Sequence, residues 1–227
     1  MKKKETIFAL STPYGRSAIS VIRLSGPSSL NVAKKLTKKC NFSHRKASFA
    51  TFFDSRGYII DRGLIIFFKS PSSYTGEDML EIHNHGSIAI INKMFEVLEK
   101  IIGCRFALPG EFSKRAFING KNDLIHFEGL ANLISSETEQ QRIVASKQTF
   151  GQTQNICKEW REVILENLAI LDSAIDFPEE GEDYNLKVIL KNLTKIIKNA
   201  KKAIQFFNTC EQVYNGQDVI IFGPPNS

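Results

Sequence analysis

The densest group of side chains able to do chemistry runs from Pro71 to Gly86, where carboxylates, imidazoles and turn residues are packed together. Glu81 lies between Leu80 and Ile82, so on a strand its carboxylate points away from both and toward the opposite face. A carboxylate so placed can accept two hydrogen bonds from an amino-pyrimidinone ring, the head group of guanine and of pterins. A surface salt bridge is the blander alternative and stays open at this point. His83 and His85 would share a strand face and offer two metal ligands, but no cysteine or third histidine stands near them, so a metal site is not expected. A second group follows a Pro109-Gly110 turn: a short helix carries Lys114 and Arg115, and an Asn119-Gly120 turn presents Lys121. Basic residues on turns can hold a carboxylate tail or a phosphate, or simply form a solvated loop. A third group closes the chain, where the apolar run Asp218 to Phe222 leads into Gly223-Pro224-Pro225-Asn226-Ser227. These match the first five residues of a phosphate-binding loop, although an ordinary turn at a strand end fits them equally well. The lysine and hydroxyl that such a loop needs would follow Ser227, so the chain as it stands is not expected to hydrolyse a nucleotide.

The elements that must position these residues are legible in the apolar pattern. Strands are expected at Thr6–Leu10, Ala18–Leu24, Ala47–Phe53, Leu64–Phe68 and Met79–His83, with helices over Ser28–Lys39 and Ile88–Ile102. That mixture predicts an α+β domain. From Leu124 the pattern turns helical. One stripe runs through Phe127, Leu130, Ala131, Ile134 and Ala145, and another through Trp160, Val163, Ile164, Leu168, Leu171 and Ile175. A third runs from Leu186 to Phe207, with Lys187, Lys191, Lys195, Lys198 and Lys202 opposite it. Long helices joined through Asp176 to Gly181 predict an antiparallel all-α domain.

Composition narrows the class. With 227 residues, 42% of them hydrophobic, the chain can bury a real core. A membrane span needs an apolar run of roughly 20 residues, which is absent, and Met1-Lys2-Lys3-Lys4 leads into Glu5-Thr6 rather than an apolar signal core. No membrane association and a cytoplasmic location are therefore expected. Cys40, Cys104, Cys157 and Cys210 are widely separated, which predicts buried free thiols. The net charge of +6 permits an anionic partner such as RNA or a polyglutamylated cofactor.

Taken in order, several of these segments resemble the MnmE (also called TrmE) family of tRNA-modification GTPases. The resemblance rests on Glu5 to Ala9, Thr12 to Arg16, Val21 to Gly26 and Ser73 to Asp78, then on Pro109 to Ser113, Arg115 to Phe117, Ala174 to Pro178 and the loop at Gly223. It implies three regions: residues 1–120 as a folate-binding dimerisation domain like that of the glycine-cleavage aminomethyltransferase, 121–213 as a helical domain, and 214–227 as the start of a GTPase domain. Arg23, Glu81 and Lys121 match the family's folate-contacting residues, which implies 5-formyl- or 5,10-methylene-tetrahydrofolate as cofactor. Asn226 matches a loop asparagine that helps hold potassium, with magnesium and GTP, in the full-length protein. The implied activity is addition of an aminomethyl or carboxymethylaminomethyl group at the 5-position of a wobble uridine in tRNA. It would use GTP hydrolysis, a homodimer and a flavin-bearing partner, MnmG (GidA). Two alternatives stand beside it: one-carbon transfer to a lipoyl protein, and a non-catalytic dimerisation and partner-binding module.

Overall fold

A computed structural model describes residues 5–176, 186–215, 220 and 222–224. The chain divides into two compact units, Met1–Asp123 and Leu124–Ser227. The first contains β1 (Thr6–Leu10), β2 (Ser17–Ser25), α1 (Ser29–Thr37), β3 (Ser48–Phe53), β4 (Ile59–Phe68), β5 (Met79–Gly86), α2 (Ile88–Glu99), β6 (Cys104–Phe106) and α3 (Glu111–Ile118). The second contains α4 (Leu124–Ile134), α5 (Glu139–Thr149), α6 (Gln152–Asp176) and α7 (Leu186–Asn215).

In the first unit one six-stranded sheet runs β3-β4-β5-β2-β1-β6. Every neighbouring pair is antiparallel except β1 and β6. Strand alternation separates the sheet's two faces. One face sends Phe8, Ile22, Phe52, Ile65, Leu80 and Ile82 into a core with Val32 and Leu36 of α1 and Met94 and Leu98 of α2, all of them buried. The other face carries Arg23, Glu81 and His83 beside Phe49 and Leu64, which are 64% and 42% exposed.

Three strands differ from the sequence expectation. β5 runs three residues past His83, to Gly86. β4 begins at Ile59, five residues before the expected start, because Asp61 and Gly63 read as turn residues. Gly63 is required there by close approach: a Cβ at this position would lie 2.0 Å from the His83 carbonyl oxygen on β5. Gly63→Ala is therefore expected to push β4 from β5 and to destabilise the sheet unit by roughly 2–3 kcal/mol, read from its denaturation midpoint. A change below about 0.5 kcal/mol would refute that reading. β6, three residues long, was too short to carry a periodic signal.

In the second unit the stripe from Phe127 to Ala145 proves to be two helices. Ser135 and Ser136 turn their hydroxyls back to the Ala131 and Asn132 carbonyls at the end of α4. A Thr138–Gln141 capping box then starts α5. α4 and α5 approach closely at Gly129, where a Cβ would come within 2.7 Å of the Thr149 backbone nitrogen. Asn192 of α7 donates to Asn167 of α6 at 3.4 Å. Trp160, Val163 and Leu171 are half-buried, whereas Ile164, Leu168 and Ile175, expected on the same packed stripe, are exposed. On α7 Ile189 is buried, and Leu193, Ile196 and Ala200 are half-buried. Lys187, Lys191, Lys195, Lys198 and Lys202 are exposed, as the pattern predicts, but so are Leu186, Leu190, Ile197 and Ile204 of the stripe expected to pack.

Cys40, Cys104 and Cys157 are free, but Cys40 and Cys157 are exposed rather than buried, and the side chain of Cys210 lies outside the described residues. Cys104 is half-buried, and that burial pushes its thiol pKa upward. No helix among the described residues is long and apolar enough to cross a membrane.

Candidate functional site

Arg23 and Glu81 stand directly opposite each other on β2 and β5. Arg23 donates from both Nε and Nη2 to Glu81 Oε1, at 3.0 and 2.8 Å. The registers place two cross-strand rows side by side: Ile66, Glu81, Arg23 and Ala9 in one, Phe49, Leu64, His83 and Val21 in the next. A charged row therefore adjoins an apolar one on the uncovered face. Among the described residues Glu81 Oε2 accepts no hydrogen bond; His83 Nε2 lies 3.7 Å from it, beyond hydrogen-bonding range. That Nε2 is itself buried and without a hydrogen-bond partner.

The β4–β5 connection forms one wall. The Tyr74 ring centroid lies 5.5 Å from the Arg23 guanidinium carbon, a cation–π distance. The Tyr74 hydroxyl meets Ser113 Oγ of α3 at 3.0 Å. Two residues on, Gly76 adopts φ +76, and its missing side chain leaves room for Lys121, whose Cδ would lie 3.2 Å from a Cβ there. The Lys121 ammonium donates to the Pro71 carbonyl at 2.9 Å. Asn119 Nδ2 fastens the same connection by donating to the Thr75 carbonyl at 2.7 Å. Arg23 and Glu81 are thus in direct contact, while Lys121 bonds to neither and flanks the same connecting segment. The division after Asp123 leaves Lys121 with the sheet unit.

Arg115 does not present itself to a ligand as the sequence reading allowed. Its guanidinium bonds Glu77 Oε2 at 3.0 Å, Glu111 Oε1 at 3.0 Å and the carbonyls of Glu5 and Ser25. Ser25 Oγ donates to the same Glu77 oxygen and contacts Thr75 Oγ1 at 2.7 Å, so this buried network shapes the segment under the site. Arg105 completes it with a two-pronged bond to Glu111, at 2.7 and 2.8 Å. The Arg105 hydrogen bonds hold the Glu111 carboxyl down to about 2, against the opposing effect of burial and with help from the Leu108 amide and Arg115. A carboxyl depressed in the folded state stabilises above its unfolded pKa, and that contribution is lost as pH falls toward the folded value. Stability of the sheet unit should therefore decline between about pH 4.5 and 2. In Glu111→Gln that part of the decline should be absent from acid-unfolding curves.

His85 pairs with Asp61, ring Nδ1 to Oδ1 at 2.8 Å, while the His85 amide donates to Oδ2. Burial opposes ionisation of Asp61, but these bonds and the Arg62 amide lower its pKa overall. Among the described residues no group of three His, Cys, Asp or Glu side chains could hold a metal ion. An open cleft lined by Arg16, Ser17, His85, Ser87 and Asn92 lies at the start of α2, away from Arg23 and Glu81. Arg23 and Glu81 lie on the sheet face beside the β4–β5 connection and do not line that cleft. Asn226 and the residues 225–227 of the expected phosphate loop lie outside the described residues, as do residues 218, 219 and 221 of the strand before it and 177–185 between the two long helices.

Sequence reasoning missed Tyr74 and His83 as neighbours of the pair. Tyr74 carried no local signal. His83 did, since period-two alternation puts it on the face of Glu81.

An α+β sheet unit with a charged pair on an uncovered face, followed in sequence by an all-helical unit, defines the class. A family model described as the GTP-binding protein TrmE N-terminus matches residues 6–121, and one described as the MnmE helical domain matches residues 124–218. The chain belongs to the MnmE (TrmE) family. A tRNA modification GTPase MnmE from Anaplasma phagocytophilum is 40% identical over 227 residues, covering 100% of this chain and 51% of that protein. The Aquifex aeolicus MnmE is 39% identical, with 98% and 50% covered. A mitochondrial tRNA modification GTPase of Schizosaccharomyces pombe is 38% identical, with 98% and 46% covered. The chain spans about half the length of the curated relatives it matches.

Proposed function

We propose that the sheet unit binds a tetrahydrofolate derivative at Arg23, Glu81 and Lys121, as the folate-holding part of a tRNA modification GTPase. The observation that carries this reading is the Glu81 carboxylate: Arg23 orients it through Oε1 and its Oε2 accepts no hydrogen bond. Such an oxygen suits the paired N–H donors of a pterin's amino-pyrimidinone edge. Arg23 fixes the rotamer of Glu81 before a ligand arrives, which lowers the ordering cost of binding. Lys121, exposed and held by one carbonyl, can exchange that bond for the carboxylate tail of a folate. When bound, 5-formyl- or 5,10-methylene-tetrahydrofolate supplies a one-carbon unit.

A ligand on a sheet face is fully buried only when a second surface covers it. Phe49 and Leu64, exposed beside the charged row, supply apolar area for such a surface, and a second copy of the chain is the partner proposed. In the whole protein this part would serve modification of the wobble uridine of tRNA at its 5-position. That reaction would run with GTP hydrolysis, potassium and magnesium at the Asn226 loop, and the flavin-containing MnmG (GidA) partner, in the cytoplasm. Calorimetric titration of 5-formyltetrahydrofolate, with sedimentation of the same sample, tests the reading. Saturable binding to a dimer supports it. A monomer that captures the flavin partner without binding folate would favour an assembly module instead.

A further inference from the structure

Of the polar groups around Glu81, His83 is the one whose hydrogen-bonding atom is left without a partner. Its Nε2 is buried and unbonded, 3.7 Å from Glu81 Oε2, while the ring as a whole is 28% exposed. Arg23 bonds Oε1 alone. The two carboxylate oxygens therefore have different neighbours: one is held by a permanent cation, the other faces a group whose charge depends on pH.

We propose that His83 is a positioning residue of the folate site that competes with the ligand for Glu81 Oε2 when its imidazole is protonated. The inference rests on the folate reading above. As a neutral ring His83 leaves Oε2 to the incoming N–H donors. As an imidazolium it closes the 3.7 Å gap and takes that oxygen in a charge-assisted bond, so a ligand must displace it. Among the described residues no other ionisable group on the neighbouring strands stands in this position. From β2, Val21 stands opposite His83, and Arg23 in the next row is bonded to Oε1. From β4, Leu64 and Ile66 stand opposite His83 and Glu81, Arg62 is exposed farther along, and Asp61 is paired with His85.

The sign follows from linkage. The protonated fraction rises as pH falls, and the protonated form binds ligand less well, so affinity drops toward acid. For a single competing proton the drop approaches roughly tenfold per pH unit once the ring is mostly charged.

The test is titration of 5-formyltetrahydrofolate into the 227-residue chain from about pH 8 to about pH 5.5, the span in which imidazoles change charge. Wild type, His83→Gln and His83→Arg are compared. The expected result is a dissociation constant that climbs toward acid in wild type and stays within about threefold in His83→Gln. His83→Arg, with a fixed cation, should bind weakly at every pH. A merely structural role would scale all affinities by one factor and leave the pH slope unchanged. A His83→Gln slope that tracks wild type overturns the proposal, as does a His83→Arg variant that binds like wild type near pH 8. If wild type binds no folate at any pH, the folate reading itself fails and this inference falls with it.

Discussion

Glu81→Ala is expected to weaken 5-formyltetrahydrofolate binding by a factor of about 30 or more while leaving the melting of the sheet unit nearly unchanged. Truncating one partner of a hydrogen-bonded charge pair at a binding site costs about 2–5 kcal/mol of affinity, and every 1.4 kcal/mol is tenfold. Stability should respond little, because Glu81 sits on the uncovered face and contributes no side chain to the core. The Arg23–Glu81 pair is part-exposed, with side chains 31% and 16% accessible, and a cross-strand ion pair of this kind is worth only about 0.2–1 kcal/mol. Arg23→Ala should lose affinity as well, and the double variant should lose less than the sum of the two, because each single change already leaves Glu81 missing or misoriented. Isothermal calorimetry on the three variants provides the measurement. Affinity in Glu81→Ala within threefold of wild type would remove Glu81 from the site.

The second large effect is one of stability. Arg115→Ala should destabilise the sheet unit by about 3 kcal/mol, because it removes the cation that Glu77 and Glu111 share, although Glu111 keeps its forked bond to Arg105 and Glu77 its bond from Ser25. The side chains of Arg115 and Glu77 are only 15% and 9% exposed, so water cannot readily replace the lost bonds. Two backbone carbonyls, of Glu5 and Ser25, lose a donor in the same change. For a unit of about this size the shift in melting temperature is on the order of 10 °C or more, readable by calorimetry. Arg115→Lys should recover only part of it, since an ammonium cannot reproduce the forked geometry. A loss under about 1 kcal/mol in Arg115→Ala would show that the network is not cooperative. Because the network ends at Thr75 and Glu77, folate affinity should fall in this variant as well, and mutation at a distance from the ligand would be felt through the segment beneath Tyr74 and Lys121.

Several parts of this protein were legible in its sequence for stated physical reasons. The alternation of Leu80, Glu81 and Ile82 assigned the carboxylate to the polar face of a strand, and Leu80 and Ile82 are indeed fully buried. Thr6–Leu10 is a strand over the expected residues. Helix α2 follows from the spacing of Ile91, Met94 and Leu98, all buried. The break between α4 and α5 has its own local signal in the capping-box spacing of Thr138 and Gln141, although the apolar stripe runs on across it. The exposed Ile164, Leu168 and Ile175 show the limit of periodicity: it identifies a helix and its apolar residues, not how much of that face is covered.

The sequence by itself determined the element types, the polar face of β5, and the residues Arg23, Glu81 and Lys121 as candidates through a family pattern. These depend on local periodicity and short motifs, which are properties of neighbours in the chain. Only the tertiary structure decided that β2 pairs with β5 so that Arg23 meets Glu81 across 58 residues of sequence. It also decided that Arg115 belongs to a buried network rather than to a ligand, and that His83 faces the open carboxylate oxygen. Strand register and long-range charge pairing are settled by packing of the whole sheet, because a slip of one residue would turn each of these side chains to the other face.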